Sequence, residues 1–300
     1  MRKLLLIGMI FMKKIYLLFS IFCLIFFHSV AQSQNSYTLL EGKKAQERLD
    51  IQNDFNRDNL IKAFKEVSAM SNVEGMTVVD FGCGTSSAYP DIKTLIGSSG
   101  KYIGIDESAK QIEFNRARFN KVDYIVGNEQ TKETKEALAS ADIIYIRFVV
   151  MHQKNPKHFL KIIYNIAKPD AFIIIQEPET DKEKRKFIAA KYPFATELCD
   201  FKTQIGKKRG LNYNFAVHIE PALQSLRPKK LIHYATYNEL PMSQAKVFLG
   251  KTLNEIHIKD PSVLSEELLT HYLNIISKLP EGKDDKWRLD LMHTIIAQKS

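Results

Sequence analysis

From residue 77 onward the chain alternates short apolar runs with longer segments that carry an apolar stripe. Residues 77–81, 102–105, 122–126, 141–148 and 171–175 read as strands, each four to eight residues long and rich in Val and Ile. Residues 89–96, 109–119, 131–139 and 157–167 read as the helices between them, with Ser108 placed to cap the second. Strands that alternate with helices of about 10–15 residues predict a parallel sheet wound on both faces. A helix over 55–70 precedes this unit. Its stripe is Leu60, Ile61, Phe64 and Val67, its cap Asn53 or Asp54, and 37–54 reads as a lead-in segment. After Glu179 the rhythm changes. Helices are predicted over 182–190, 214–226, 242–256 and 262–279, with strands over 231–237 and 294–298.

The first 31 residues do not fit this pattern. Met12-Lys13-Lys14 precedes an apolar run from Ile15 to Val30, and Ser29-Val30-Ala31 puts small residues where a signal peptidase cuts. The run is short for a membrane span of about 20 residues. Residues 1–31 are expected to act as a signal peptide or, uncleaved, as a membrane anchor with the lysines inside. The protein is then periplasmic, secreted or anchored. The alternative is a cytoplasmic protein whose N-terminal segment does not export.

Composition changes the picture little. The net charge of +9 falls to +5 without the first 31 residues, where Arg2, Lys3, Lys13 and Lys14 lie with no acid. No basic block with interleaved aromatics occurs, so a nucleic-acid partner is not expected. Three cysteines make no disulfide framework, and without C-x-x-C or H-E-x-x-H no metal site is expected.

The chemistry is concentrated at the strand ends. The first strand runs Val78-Val79-Asp80-Phe81 into Gly82-Cys83-Gly84-Thr85, an apolar run that ends in an acid and then G-x-G. Glycines there let a ligand approach the backbone. The second strand ends in Gly104-Ile105-Asp106, a carboxylate at the distance that accepts both hydroxyls of a ribose. Dinucleotide sites add a third glycine, but Gly84 is followed by Thr85, Ser86, Ser87 and Ala88. Asp80 would repel a pyrophosphate, whereas it suits a ligand that carries an ammonium and a sulfonium.

With these residues the chain resembles the class I S-adenosylmethionine-dependent methyltransferases. The resemblance implies an α/β fold, a Rossmann-like doubly wound seven-stranded sheet. That sheet is mostly parallel with an antiparallel last strand, and helical cap insertions decorate it. It covers 37–300, with a cofactor half over 55–178 and a cap and C-terminal strands over 179–300. It also implies S-adenosylmethionine as cofactor, with Asp80 and the Gly82–Gly84 turn at its methionine part and Asp106 at its ribose. Asn128, or Glu129 beside it, falls where relatives place the group that meets the adenine amino group. Ile146-Arg147-Phe148-Val149-Val150-Met151-His152 resembles the fourth-strand segment of small-molecule methyltransferases, which puts Arg147 and Phe148 beside the cofactor. Arg48 and Gln52 lie in a segment that looks like the family's N-terminal lid.

Methyl transfer needs alignment and exclusion of water, and a base only where the acceptor carries a proton. His152 is the best-placed candidate base, ahead of Tyr145, Glu177, Tyr213 and His218. Phe187, Tyr192, Phe194, Phe201, Tyr213 and Phe215 either close an apolar pocket over a small-molecule acceptor or form the core of the cap. Three rival readings stand beside this one. An exported, non-catalytic nucleoside- or small-molecule-binding protein is opposed by the intact Asp80, Gly82, Gly84 and Asp106 set. An aminopropyltransferase carries paired acids where this chain has Arg147 and His152. The asparagine-proline-proline-tyrosine motif of amino-group methylating enzymes is absent after the fourth strand, although protein or RNA methylation stays open.

Overall fold

The computed structural model describes residues 39–179, 182–209, 212 and 214–300. The predicted signal or anchor segment therefore lies outside the described residues, as does Tyr213. No helix among the described residues is long and apolar enough to cross a membrane.

A turn at Gly42–Lys44 leads into α1 (Gln46–Ser68), followed by β1 (Thr77–Phe81), α2 (Tyr89–Ile96), β2 (Lys101–Asp106) and α3 (Ala109–Arg118). The series continues through β3 (Asp123–Val126), α4 (Lys132–Ser140), β4 (Ile143–Arg147), α5 (Pro156–Ile166) and β5 (Phe172–Glu179). Then come α6 (Lys182–Lys191), α7 (Glu197–Arg209), α8 (Ala216–Gln224), β6 (Lys230–Pro241), α9 (Met242–Lys259), α10 (Glu266–Ser277) and β7 (Lys286–Gln298). The seven strands form one sheet in the order β3-β2-β1-β4-β5-β7-β6. Strands β1 to β5 pair in parallel, and β7 runs antiparallel between β5 and β6. This is the doubly wound, mostly parallel sheet that the alternating pattern predicts.

Alternation along the strands divides the core between the two faces. On one face Val79, Phe81, Ile144, Ile175 and Ile295 pack under α4, α5 and α8. On the other Val78, Ile143, Ile174 and Ile296 meet Leu60, Phe64 and Val67 of α1, with α2 and α3 alongside. A third core belongs to the cap. Ile188, Tyr192, Cys199, Leu253, Ile256, Tyr272 and Trp287 are buried together there, with Phe187 and Phe201 against them. These aromatic residues are thus cap core. Phe215 packs with the α8 face, and Phe194 is 45% exposed.

Three elements differ most from expectation. Helix α1 begins at Gln46, nine residues before the predicted start, so Asn53 and Asp54 cap nothing. Asn53, Asn56 and Asn59 are buried on its inner face because each finds a partner: Arg147 Nη2 (2.9 Å), Asn238 Nδ2 (3.3 Å) and Thr236 Oγ1 (2.7 Å). Helix α7 was unexpected between two predicted helices. Strand β7 extends eight residues upstream of its predicted start, through Trp287, because it pairs along the whole length of β6.

Candidate functional site

The carboxyl ends of the parallel strands gather the predicted residues. Leaving β1, the backbone N–H groups of Gly82 and Cys83 both donate to Ile105 O, at 2.8 and 2.9 Å, so the first turn is tied to the neighbouring strand. Gly82 has φ 76° and Gly84 φ 54°, in the left-handed region. A Cβ on Gly82 would lie 2.3 Å from Cγ2 of Val149, just past the end of β4, so the two loops touch. Two side-chain-bearing residues share this strain. Ser86 has φ 52° and Phe148 has φ 58°. A left-handed bulky residue is uncommon and is typical of functional sites. The half-buried Phe148 is held in this state by a bond from its N–H to Gln176 O (3.1 Å).

Asp106 braces the glycine turn. Its Oδ2 accepts from the Gly84 N–H (2.9 Å) and its Oδ1 from the Ser108 N–H (2.9 Å). Each oxygen keeps a lone pair for another donor. Burial pushes its carboxyl up to about 6, against the pull of those two N–H groups. Asp80 is buried, where Asp106 is half-buried, and it too is pushed up to about 6 by desolvation, which outweighs the Tyr102 hydroxyl at 2.6 Å and the nearby charge of Arg147. Glu107 is raised by desolvation, with the like charges of Glu129 and Glu41 adding. The strand ends therefore collect carboxylates that favour a cation or a hydrogen-bond donor.

Other predicted residues divide. Asn128 is exposed beyond β3, and its Oδ1 accepts from the Gln130 N–H (3.0 Å), which closes a turn. Glu129 lies beside it, half-buried. Arg147 spans from β4 to Asn53 of α1. His152 ends the turn Val150–His152 that follows β4.

Four further candidates have partners or neighbours of their own. Glu177 is buried, and its Oε1 accepts from the N–H groups of Val149 and Val150, both at 2.6 Å, so it shapes the post-β4 turn. The Tyr145 hydroxyl donates to Gln176 Oε1 (2.7 Å) inside the sheet. His218 is exposed against Phe215. Arg48 turns toward the cap, where its Nε donates to Glu255 Oε2 of α9 at 2.9 Å in a buried pair. The same Glu255 oxygen accepts from the Leu40 N–H (3.2 Å), so the lead-in segment is fastened to α9. Leu49, next to Arg48, is the residue that covers Gly84. Gln52 contributes its backbone carbonyl to Asn56 Nδ2 (2.8 Å).

Sequence reasoning missed two buried amides on α3. Gln111 Oε1 accepts from the Gly42 N–H (2.7 Å), and Asn115 Nδ2 donates to Gly84 O (2.7 Å). They tie the helix to the lead-in turn and to the glycine turn. Their spacing of four residues puts both on one helix face, which is the signal that could have found them.

A family model described as a methyltransferase domain matches residues 72–235. The demethylmenaquinone methyltransferase of Lactococcus lactis subsp. lactis (strain IL1403) is 24% identical over 156 residues, which cover 47% of this chain and 61% of that protein. The YcgJ protein of Bacillus subtilis shares the fold at a TM-score of 0.51 and 10% identity, over 79% of this chain and 98% of that one. The match thus spans less than two thirds of the curated relative.

Proposed function

The chain belongs to the methyltransferase-domain family, and from that premise we propose that it transfers a methyl group from S-adenosylmethionine to a small organic acceptor. The observation that carries the reading is the pair of desolvated carboxylates, Asp80 and Asp106, both pushed up to about 6 around the strained Gly82–Gly84 turn. Their burial penalises ionisation in the free protein, and a cationic ligand with a ribose diol offsets that penalty. The donor set fits. The turn and Asp80 take the methionine part, the free lone pairs of Asp106 take the ribose hydroxyls, and Asn128 or Glu129 meets the adenine edge. Arg147 and Phe148 flank the cofactor.

When bound, the cofactor supplies an electrophilic methyl group. The chain's own work is then to align the acceptor and exclude water. Leu49 covers Gly84, and the Arg48–Glu255 pair holds that cover in place. His152 serves as base for an acceptor that must lose a proton. The demethylmenaquinone acceptor in the relative's name supports a small organic acceptor.

The test is calorimetric titration of S-adenosylmethionine and S-adenosylhomocysteine into the protein and into Asp106→Ala. Micromolar binding that the variant loses supports the reading. A folded protein that binds neither ligand overturns it and favours a non-catalytic binding protein.

We propose further that residues 1–31 export or anchor the protein, on the strength of the lysine, apolar and small-residue order. Mass measurement of the mature N-terminus after fractionation tests this. An intact Met1 or Met12 on soluble cytoplasmic protein overturns it.

A further inference from the structure

Four side chains away from the glycine turn form an unbroken chain. His233 Nδ1 lies 2.6 Å from Glu220 Oε2, His233 Nε2 lies 2.9 Å from His293 Nδ1, and His293 Nε2 lies 2.8 Å from Glu179 Oε2. Four elements contribute one group each: α8, β6, β7 and β5. The two imidazole planes differ by 28° and their centroids are 5.1 Å apart, so the rings meet edge to edge through the bond. All four ring nitrogens are engaged.

Proton counting defines what this chain can do. Three hydrogen bonds need three protons, and two neutral imidazoles bring two. The third proton is the one in transit: it enters on Glu179, the three bonds then reverse polarity together, and it leaves from Glu220. The two ends differ in environment. His293 is 6% exposed and Glu179 is the last residue of β5, at the end of the sheet where ligands bind. The Glu220 side chain is 46% exposed on α8. Two residues before Glu179 on the same strand, Glu177 holds the turn that carries His152. Packing alone does not call for such a chain, because Ile175, Ile219 and Ile295 fill the same face of the sheet.

We propose that Glu179, His293, His233 and Glu220 act as one proton path from the carboxyl end of β5 to solvent. The source of the proton rests on the methyl-transfer reading: an acceptor with an X–H bond exchanges it for X–CH3 and releases one proton. Glu179 takes that proton and passes it to Nε2 of His293. The Nδ1 proton of His293 moves to Nε2 of His233, and the Nδ1 proton of His233 leaves through Glu220 to water. One proton enters and one leaves, and a tautomeric exchange resets the rings. The acceptor class that needs this path is protic, such as a hydroxyl, a phenol or an acidic carbon.

Several other charged groups on the packed elements have their own partners. On β5, Glu177 Oε1 is held by backbone N–H groups. Lys184 of α6 pairs with Asp290 of β7, and Arg288 of β7 with Glu239 of β6. Lys62 of α1 lies over the Tyr234 ring, and His218 of α8 lies against Phe215.

The test is a pH series of ring 15N spectra of the full-length protein and of Glu220→Gln, His233→Gln and the double variant. Glu220→Gln is expected to move the titration of His293 by about one pH unit, although the two residues do not touch, as coupled sites do. In the His233→Gln background the same change is expected to leave His293 unmoved. A His293 titration equal in wild type and Glu220→Gln, while His233 shifts, overturns the path in favour of two separate pairs. Unchanged ring signals of His257 and His271 in the cap report that each variant is folded. Titration with S-adenosylhomocysteine runs separately, so failure of the donor reading is told apart from failure of the path.

Discussion

The cofactor side of the sheet and the cap are held by different kinds of contact. Around the glycine turn the decisive bonds run between neighbouring strands and the helices that follow them, as from Gly84 to Asp106 or from Asn115 to Gly84. In the cap they join residues far apart in the chain. Arg48 and Glu255 are 207 residues apart, and Lys184 and Asp290 are 106 apart. The difference separates two tasks. The turn is shaped by backbone conformation, which a single added methyl group upsets. The cover over it is held by buried charge, which fails when one partner is removed. Substitutions in the two regions should therefore split ligand binding from stability.

The largest effect is expected at the cap. Arg48→Ala leaves Glu255 buried with the Leu40 N–H as its remaining partner among the bonds described above, and should cost about 3–5 kcal/mol. Urea unfolding measures this. Replacing both members, Arg48→Met with Glu255→Leu, should recover most of the loss, because no charge is then stranded. A single-variant loss under about 1 kcal/mol, the range of an exposed pair, would mean that the pair does not fasten the cover.

Next comes the turn. Gly82→Ala combines a left-handed backbone with a Cβ 2.3 Å from Val149 Cγ2 and should cost about 2–4 kcal/mol, with loss of S-adenosylhomocysteine binding. Adding Val149→Ala should return the steric part and leave the conformational part. If the double variant recovers nothing, the backbone alone sets the requirement.

The same division explains what the sequence made legible. The run from Val78 to Thr85 announces itself because a strand, an acid and two left-handed glycines are adjacent in the chain. Ser108 is a legible cap, and its Oγ accepts from the Gln111 N–H. Helix α1 is less legible at its start because Asn53, Asn56 and Asn59 look solvated, and what buries them includes partners on distant strands. The upstream part of β7, Lys286-Trp287-Arg288-Leu289-Asp290, mixes charge with apolar residues. It becomes a strand by pairing with β6, some 50 residues away. The partners of Arg48 and Glu177 are hard to read for the same reason: motif position says which end of the sheet a residue occupies, and not which partner it meets.

A proton-linked effect follows from the two desolvated acids, Asp80 and Asp106. Their carboxyls, at about 6 in the folded protein against 3.8 ordinarily, bind protons more tightly when folded. The contribution of these groups to stability is therefore full below about pH 4 and is lost as pH rises through about 6. A cationic ligand favours the ionised forms, so binding near pH 6 should release protons. Calorimetry in buffers of different ionisation enthalpy counts them. Release of none, or uptake, would place the ligand's charge elsewhere. Asp106→Asn should reduce the count, since it leaves Asp80 as the remaining buried acid of the pair.

The smallest effect tests whether Asp106 is positioned by the backbone or by the helix cap. Ser108→Ala removes the Oγ that accepts from Gln111 at 3.3 Å, and loss of such a cap costs about 1 kcal/mol. It keeps the Ser108 N–H that donates to Asp106 Oδ1 at 2.9 Å. Stability in urea should therefore fall while affinity for S-adenosylhomocysteine stays within about twofold, a change worth under 0.5 kcal/mol. A tenfold weaker affinity would mean that fraying of α3 reaches the ribose-binding carboxylate through Gln111 and Asn115. The turn would then depend on side-chain contacts as the cap does, and the separation between the two regions would narrow to the strand ends alone.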